Sequence, residues 1–151
     1  MHIREDDLSG REITALLQAH LDHMYAITPP ESVHALGVEA LKAPDVTFWS
    51  AWEDDELLGC GALKQLDPES GEIKSMRTAM AHRRKGVAAG MLQHILTQAR
   101  QRGYTWLGLE TGSMVEFAPA RALYAKYGFE ERGPFGHYTL DPNSVYMALR
   151  L

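Results

Sequence analysis

Apolar residues recur at helical spacing between Val87 and Gly103. Ala88, Leu92, Ile95 and Ala99 fall on one stripe, widened by Val87, Met91 and Leu96, while Gln93, Gln98, Arg100 and Gln101 take the other side. The pattern predicts a long amphipathic helix closed by Gly103, with Arg100 and Arg102 near the negative end of its dipole. Before it, Glu72 to Met80 reads as a strand. After it, Tyr104 to Glu110 reads as a buried strand. Strand, long helix and strand form a crossover unit, so these two strands are expected to run parallel.

The remaining pattern is shorter in period and richer in turns. His2 to Asp6 is a short first strand. Ile13, Leu16, Leu17 and Leu21 mark a helix from Ser9 to Tyr25, with Ser9 and Glu12 at capping-box spacing. Thr28-Pro29-Pro30 stops it, and Glu31 to Ala43 predicts a second, shorter helix interrupted near Gly37 and ended by Pro44. Val46–Glu53 and Glu56–Leu66 are strands joined by a tight Asp54-Asp55 turn. Gly59 and Gly61 mark a bulge or a close approach in the second of them. A short helix spans Phe117 to Tyr127, capped by Gly128. Phe129–Arg132 and Val145–Leu149 are the last strands, separated by a Gly-, Pro- and aromatic-rich loop from Gly133 to Ser144. The sum is an α/β (α+β) chain with a mixed, mostly antiparallel sheet of about seven strands and four helices.

Composition narrows the class. At 151 residues, with 45% hydrophobic and 23% charged residues, the chain is expected to form one domain, 1–151, with a single core. No stretch is apolar enough to span a membrane, and the charged N-terminus lacks a secretory h-region. The single cysteine, Cys60, excludes an internal disulfide, fits a reducing cytoplasm, and reads as a small buried hydrophobe. A net charge of −5 argues against nucleic acid as a partner and requires any anion site to be local. His20 and His23 stand at i, i+3 with His34 nearby, but without a cysteine or further ligand they read as exposed polar residues, and no metal is expected.

Local positive charge does exist, in the loop Arg83-Arg84-Lys85-Gly86-Val87-Ala88 at the start of the long helix. Free N–H groups of a helix N-terminus and three cations converge there, and Gly86 lets backbone approach a ligand closely. That chemistry suits a phosphate or pyrophosphate.

Two motifs and the element order together resemble the GNAT superfamily of acyl-CoA-dependent N-acyltransferases. Arg83-x-x-Gly86-x-Ala88 matches the family's phosphate loop. Ala120-x-x-Leu123-Tyr124-x-Lys126-x-Gly128-Phe129 matches its helix-to-strand segment after the fifth strand. The resemblance implies acetyl-CoA as co-substrate and no metal. The pyrophosphate would sit on Arg83, Arg84, Lys85, Gly86, Val87 and Ala88, and the pantetheine arm along the backbone of Met76, Arg77 and Thr78. Phe117 stands where the family often has an asparagine, so an amide contact to pantetheine gives way to an apolar contact or to backbone.

Direct attack by a primary amine needs a base for the ammonium proton and a donor for the departing thiolate. The resemblance assigns these to Glu72 and Tyr124. Glu110, at the end of the fifth strand, is a second candidate base, and Tyr25 and Tyr138 are candidate acceptor walls. Aromatic walls suit an amine. The acceptor is expected to be a small-molecule or peptide amine, entering between the residue 24–41 lid and the 133–144 loop. A homodimer is common in such a family. The alternative is a catalytically idle acyl-CoA-binding module.

Overall fold

Alternating apolar positions close into one seven-stranded sheet in the computed structural model, which describes residues 1–151. The strands are β1 (His2–Glu5), β2 (Val46–Glu53), β3 (Glu56–Asp67), β4 (Ser70–Thr78), β5 (Trp106–Gly112), β6 (Glu130–Arg132) and β7 (Ser144–Arg150). Their spatial order is β1-β2-β3-β4-β5-β7-β6, and only β4 and β5 run parallel. Helices α1 (Arg11–Ile27), α2 (Val38–Leu41), α3 (Val87–Gln101) and α4 (Ala118–Lys126) cover the sheet. No helix is long and apolar enough to cross a membrane.

Each face of the sheet has its own core. Met91, Leu92, Ile95 and Leu96 of α3 and Tyr124 of α4 pack with Trp49, Leu63, Ile73 and Leu109. On the other face, Ile13 and Leu17 of α1 and Leu41 of α2 pack with Phe48, Cys60 and Ala62. The glycines of β3 let layers close up. A Cβ at Gly61 would lie 2.8 Å from Met91 Cγ of α3, and one at Gly59 would lie 2.6 Å from the Arg77 carbonyl oxygen.

Two local expectations are corrected. Ser9 does not cap α1. Its hydroxyl donates to Asp7 Oδ1, and Gly10 takes the N-cap position without a side-chain bond. The segment from Glu31 to Ala43 is not one helix. A 3-10 turn at Pro30–Ser32 leads through extended chain to the four residues of α2. Pro29 and Pro30 fix that turn, and Ser32 then donates to Asp141 Oδ2 at 2.6 Å, tying the segment to the β6–β7 loop.

Candidate active site

The site begins where β4 and β5 part. Parallel pairing runs from Ser70↔Trp106 to Ile73↔Leu109 and stops there. A bulge lies just past the point of separation. Cys60 of β3 pairs with Arg77 but Ala62 pairs with Lys74, so Ser75 and Met76 together face Gly61, and Ser75 takes a left-handed φ of 56°. Beyond the bulge, Arg77 and Thr78 keep their pairing to β3, and Met76 to Thr78 have no strand on the β5 side. One cavity of about 580 Å³ opens along this gap.

At one end of the cavity lies the loop before α3. Gly86 is the N-cap with φ 82°, Arg84 has φ 65°, and no side chain caps the helix. The first N–H groups of α3 are therefore free, in a turn that presents them to an anion. Arg83, Arg84, Gly86, Val87 and Ala88 line the cavity. Lys85 does not. Its Nζ turns to His82 Nδ1 at 3.2 Å, and His82 Nε2 in turn meets Glu56 Oε1 at 2.8 Å. Phe117 lines the cavity and packs its ring onto the backbone of Gly112, where a Cβ would lie 2.2 Å from the ring. Arg121, not singled out in the sequence, holds this corner by donating to the carbonyls of Gly112 and Met114.

In the middle of the gap, titratable groups divide between the two faces. Tyr124 sits in the α3 core and lines the cavity. Burial first, and the Glu110 charge second, push its phenol up to about 12, so it remains a proton donor at neutral pH. Glu110 follows Leu109 on β5 and so points to the opposite face, the α1 side. Burial pushes its carboxyl up to about 7. That shift makes a stability prediction. The native state holds the Glu110 proton to higher pH than the unfolded chain, whose carboxyl titrates near 4.5, so stability present below that value is lost as pH rises through about 7. Glu110→Gln removes the cost. By chemical denaturation, the variant should gain on the wild type between pH 5 and pH 8 by no more than about 3 kcal/mol.

Glu72 is placed differently from the strand-start carboxylate that the sequence suggests. It lies inside the sheet at Gly108, 2% exposed. Its Oε2 accepts from the Tyr138 hydroxyl at 2.5 Å and from Lys74 Nζ at 3.2 Å, and Lys74 also donates to the Tyr138 oxygen at 2.9 Å. Tyr138 is therefore not an acceptor wall. It is buried behind Glu72, with Phe135 and Tyr146, and burial and the Glu72 carboxylate push its phenol up.

Tyr25 is also not a wall. It is exposed on α1 and off the cavity, because one helical step turns it about 100° from Met24, which does line it. The histidines read as exposed polar residues belong here too. His20, His23 and His34 are partly buried and line the α1 side of the cavity. Cys60 is a buried thiol, donating to the Ser75 carbonyl at 3.2 Å and pushed up by burial to about 12.

The chain is similar to known proteins. The family model described as "Acetyltransferase (GNAT) family" matches residues 13–129. The uncharacterized N-acetyltransferase YsnE of Bacillus subtilis is 58% identical over 151 residues, 100% of both chains. The uncharacterized N-acetyltransferase YedL of Escherichia coli is 48% identical over 149 residues, covering 99% of this chain and 94% of its own. A solved Klebsiella pneumoniae structure, described only provisionally as an acyl-CoA N-acyltransferase, superposes with a TM-score of 0.80 at 28% identity. The match covers 99% of this chain and 97% of the other.

Proposed function

The chain belongs to the acetyltransferase (GNAT) family, and from that premise we propose that it moves an acetyl group from acetyl-CoA to a primary amine by direct attack in a ternary complex. The observation that carries this reading is the parting of β4 and β5 after Ile73 and Leu109, which leaves a strand edge and a helix N-terminus along one cavity. The residues fit the co-substrate. The free edge from Met76 to Thr78 offers backbone groups to a pantetheine amide, like an added strand. The N–H groups after Gly86 and the Arg83 and Arg84 guanidiniums suit a pyrophosphate.

Chemistry then divides between the faces. The amine arrives from the α1 side, where Glu110 takes its proton, directly or through one water. The nitrogen lone pair forms the C–N bond at the thioester carbonyl and the C–S bond breaks. The departing thiolate takes the Tyr124 proton on the α3 side, and the second proton, which the new amide nitrogen sheds, returns the phenol to its protonated form through water. Glu110 is preferred to Glu72 as base because its carboxyl titrates near neutrality. The one Glu72 oxygen that has partners already accepts bonds from both Lys74 and Tyr138. A group whose pKa lies near the working pH is the more effective proton acceptor. An idle acyl-CoA-binding module would have no use for a donor and a tuned carboxyl on opposite sides of one gap.

Turnover of acetyl-CoA with a panel of amines, followed by free-thiol release, tests the reaction. Absence of turnover with every amine, alongside tight CoA binding, would favour the idle module. Tyr124→Phe should lower kcat by about 10²–10⁴-fold with little change in the KM for acetyl-CoA, since the hydroxyl acts on charge that develops only as the thiolate leaves. A fall of less than about threefold would reduce Tyr124 to packing, because a general acid contributes far more.

A further inference from the structure

The α1 wall of the cavity holds one cation that nothing in the protein neutralises. Arg77 is half-buried and lines the cavity, yet it makes no salt bridge. Its Nη1 donates to His23 Nδ1 at 3.0 Å, and its Nε is buried without a partner. A guanidinium can only donate, so His23 Nδ1 must be the acceptor in that bond and its ring is neutral there. His20, on the same helix, also has a buried Nδ1 without a partner. Burial and the Arg77 charge hold its imidazole down at about 4, so it too is neutral near pH 7.

The carboxylates along the cavity do not answer this charge. Glu72 is bonded to Lys74 and Tyr138. Glu110 lies on β5, across the gap. Glu116 is exposed and pairs with no cation. A half-buried, unpaired guanidinium is costly unless a ligand completes it.

Its position says which ligand. The bulge at Ser75 and Met76 turns Arg77 onto the face of Cys60 and α1, whereas Met76 packs toward α3. The anion loop stands at the N-terminus of α3, the helix of the other face, and from there the Arg83 charge is felt at Arg77 and His23 without bonding either. Arg77 therefore belongs to the side from which the acceptor comes. We propose that the acetyl acceptor carries a carboxylate, and that Arg77, flanked by His20 and His23, receives it. One cation beside two neutral imidazoles matches a monoanion, and the guanidinium fork matches a carboxylate in two bonds.

This substrate class rests on the acetyltransferase reading of the same site, so the test separates the two. Turnover is measured with L-amino acids and, in parallel, with the corresponding L-amino acid amides. Binding of the N-acetyl-L-amino acids and their amides to the CoA-loaded protein is measured by calorimetry, which needs no turnover. The acids should exceed the amides in kcat/KM by roughly 30-fold or more. Arg77→Gln should erase that preference through the KM for the acid, since it alters the side chain and keeps the backbone edge that the pantetheine would use. Arg77→Lys should restore part of it.

Carboxylate-selective, Arg77-dependent binding without turnover of any amine would uphold the carboxylate site and overturn the amine reaction. Equal use of acids and amides would uphold the reaction and overturn the carboxylate site. If Arg77→Gln instead weakens CoA, Arg77 serves the co-substrate and the proposal falls. Failure of both turnover and binding overturns it as well.

Discussion

Gly86→Glu is expected to abolish CoA binding while the protein stays folded. Gly86 has φ 82°, so any L side chain there adopts a left-handed backbone at a cost of about 1–2 kcal/mol. Its Cβ direction, however, meets nothing within 4 Å, so the substitution creates no clash inside the protein. The loss falls on the ligand. A carboxylate at this N-cap sits among the free N–H groups meant for a pyrophosphate and repels it. Like charges placed together cost several kcal/mol, which corresponds to a loss of about 100-fold or more in Kd. Gly86→Ala is the control, since it carries the same backbone cost without the charge, and it should lose much less. Calorimetry with CoA reads both variants. Unchanged affinity in Gly86→Glu would remove the loop from the cofactor site.

Much of this site was legible because its signals are local. The α3 stripe, the glycine before it and the basic residues around that glycine lie in one unbroken stretch from Arg83 to Ala99. The parallel pairing of β4 with β5 follows from the long crossover between them. Tyr124 and the Gly86 loop line the same cavity.

What was not legible depends on contacts between distant residues or on phase. The bond from Tyr138 to Glu72 spans 66 positions, and no periodicity announces it. Met24 and Tyr25 differ by one step of a helix, and the pattern did not fix which of them faces the gap. Lys85 looked like a third phosphate ligand until His82 offered it a partner. Arg77 shows the effect of register most clearly. Strict alternation from Glu72 would put Met76 on the α1 face and Arg77 on the α3 face. The extra residue at Ser75 reverses both, and the left-handed φ that accommodates it falls on a serine, not on a glycine that would have flagged it.

Glu110→Gln should remove the limb of the kcat/KM profile near pH 7 and lower the plateau by about 10²–10⁴-fold. The sign follows from the role. A base accepts a proton only when ionised, and burial holds the Glu110 carboxyl up to about 7. Activity in the wild type therefore rises with pH through that value and then levels. An alkyl amine acceptor titrates near ~10.4 on its own account, far enough above to appear as a separate limb. Gln keeps the size of the side chain and cannot take the proton, so the lower limb disappears and the upper one remains.

Glu72→Gln should behave otherwise. Its carboxylate is occupied by Lys74 and Tyr138, and an amide can still accept from the tyrosine. It leaves the buried Lys74 ammonium without its counter-charge, so the loss should appear mainly as stability. The limb near pH 7 should persist in that variant. The opposite pair of results, a limb kept in Glu110→Gln and lost in Glu72→Gln, would return the base to Glu72. It would also mean that Lys74 and Tyr138 release the carboxylate once substrates are bound.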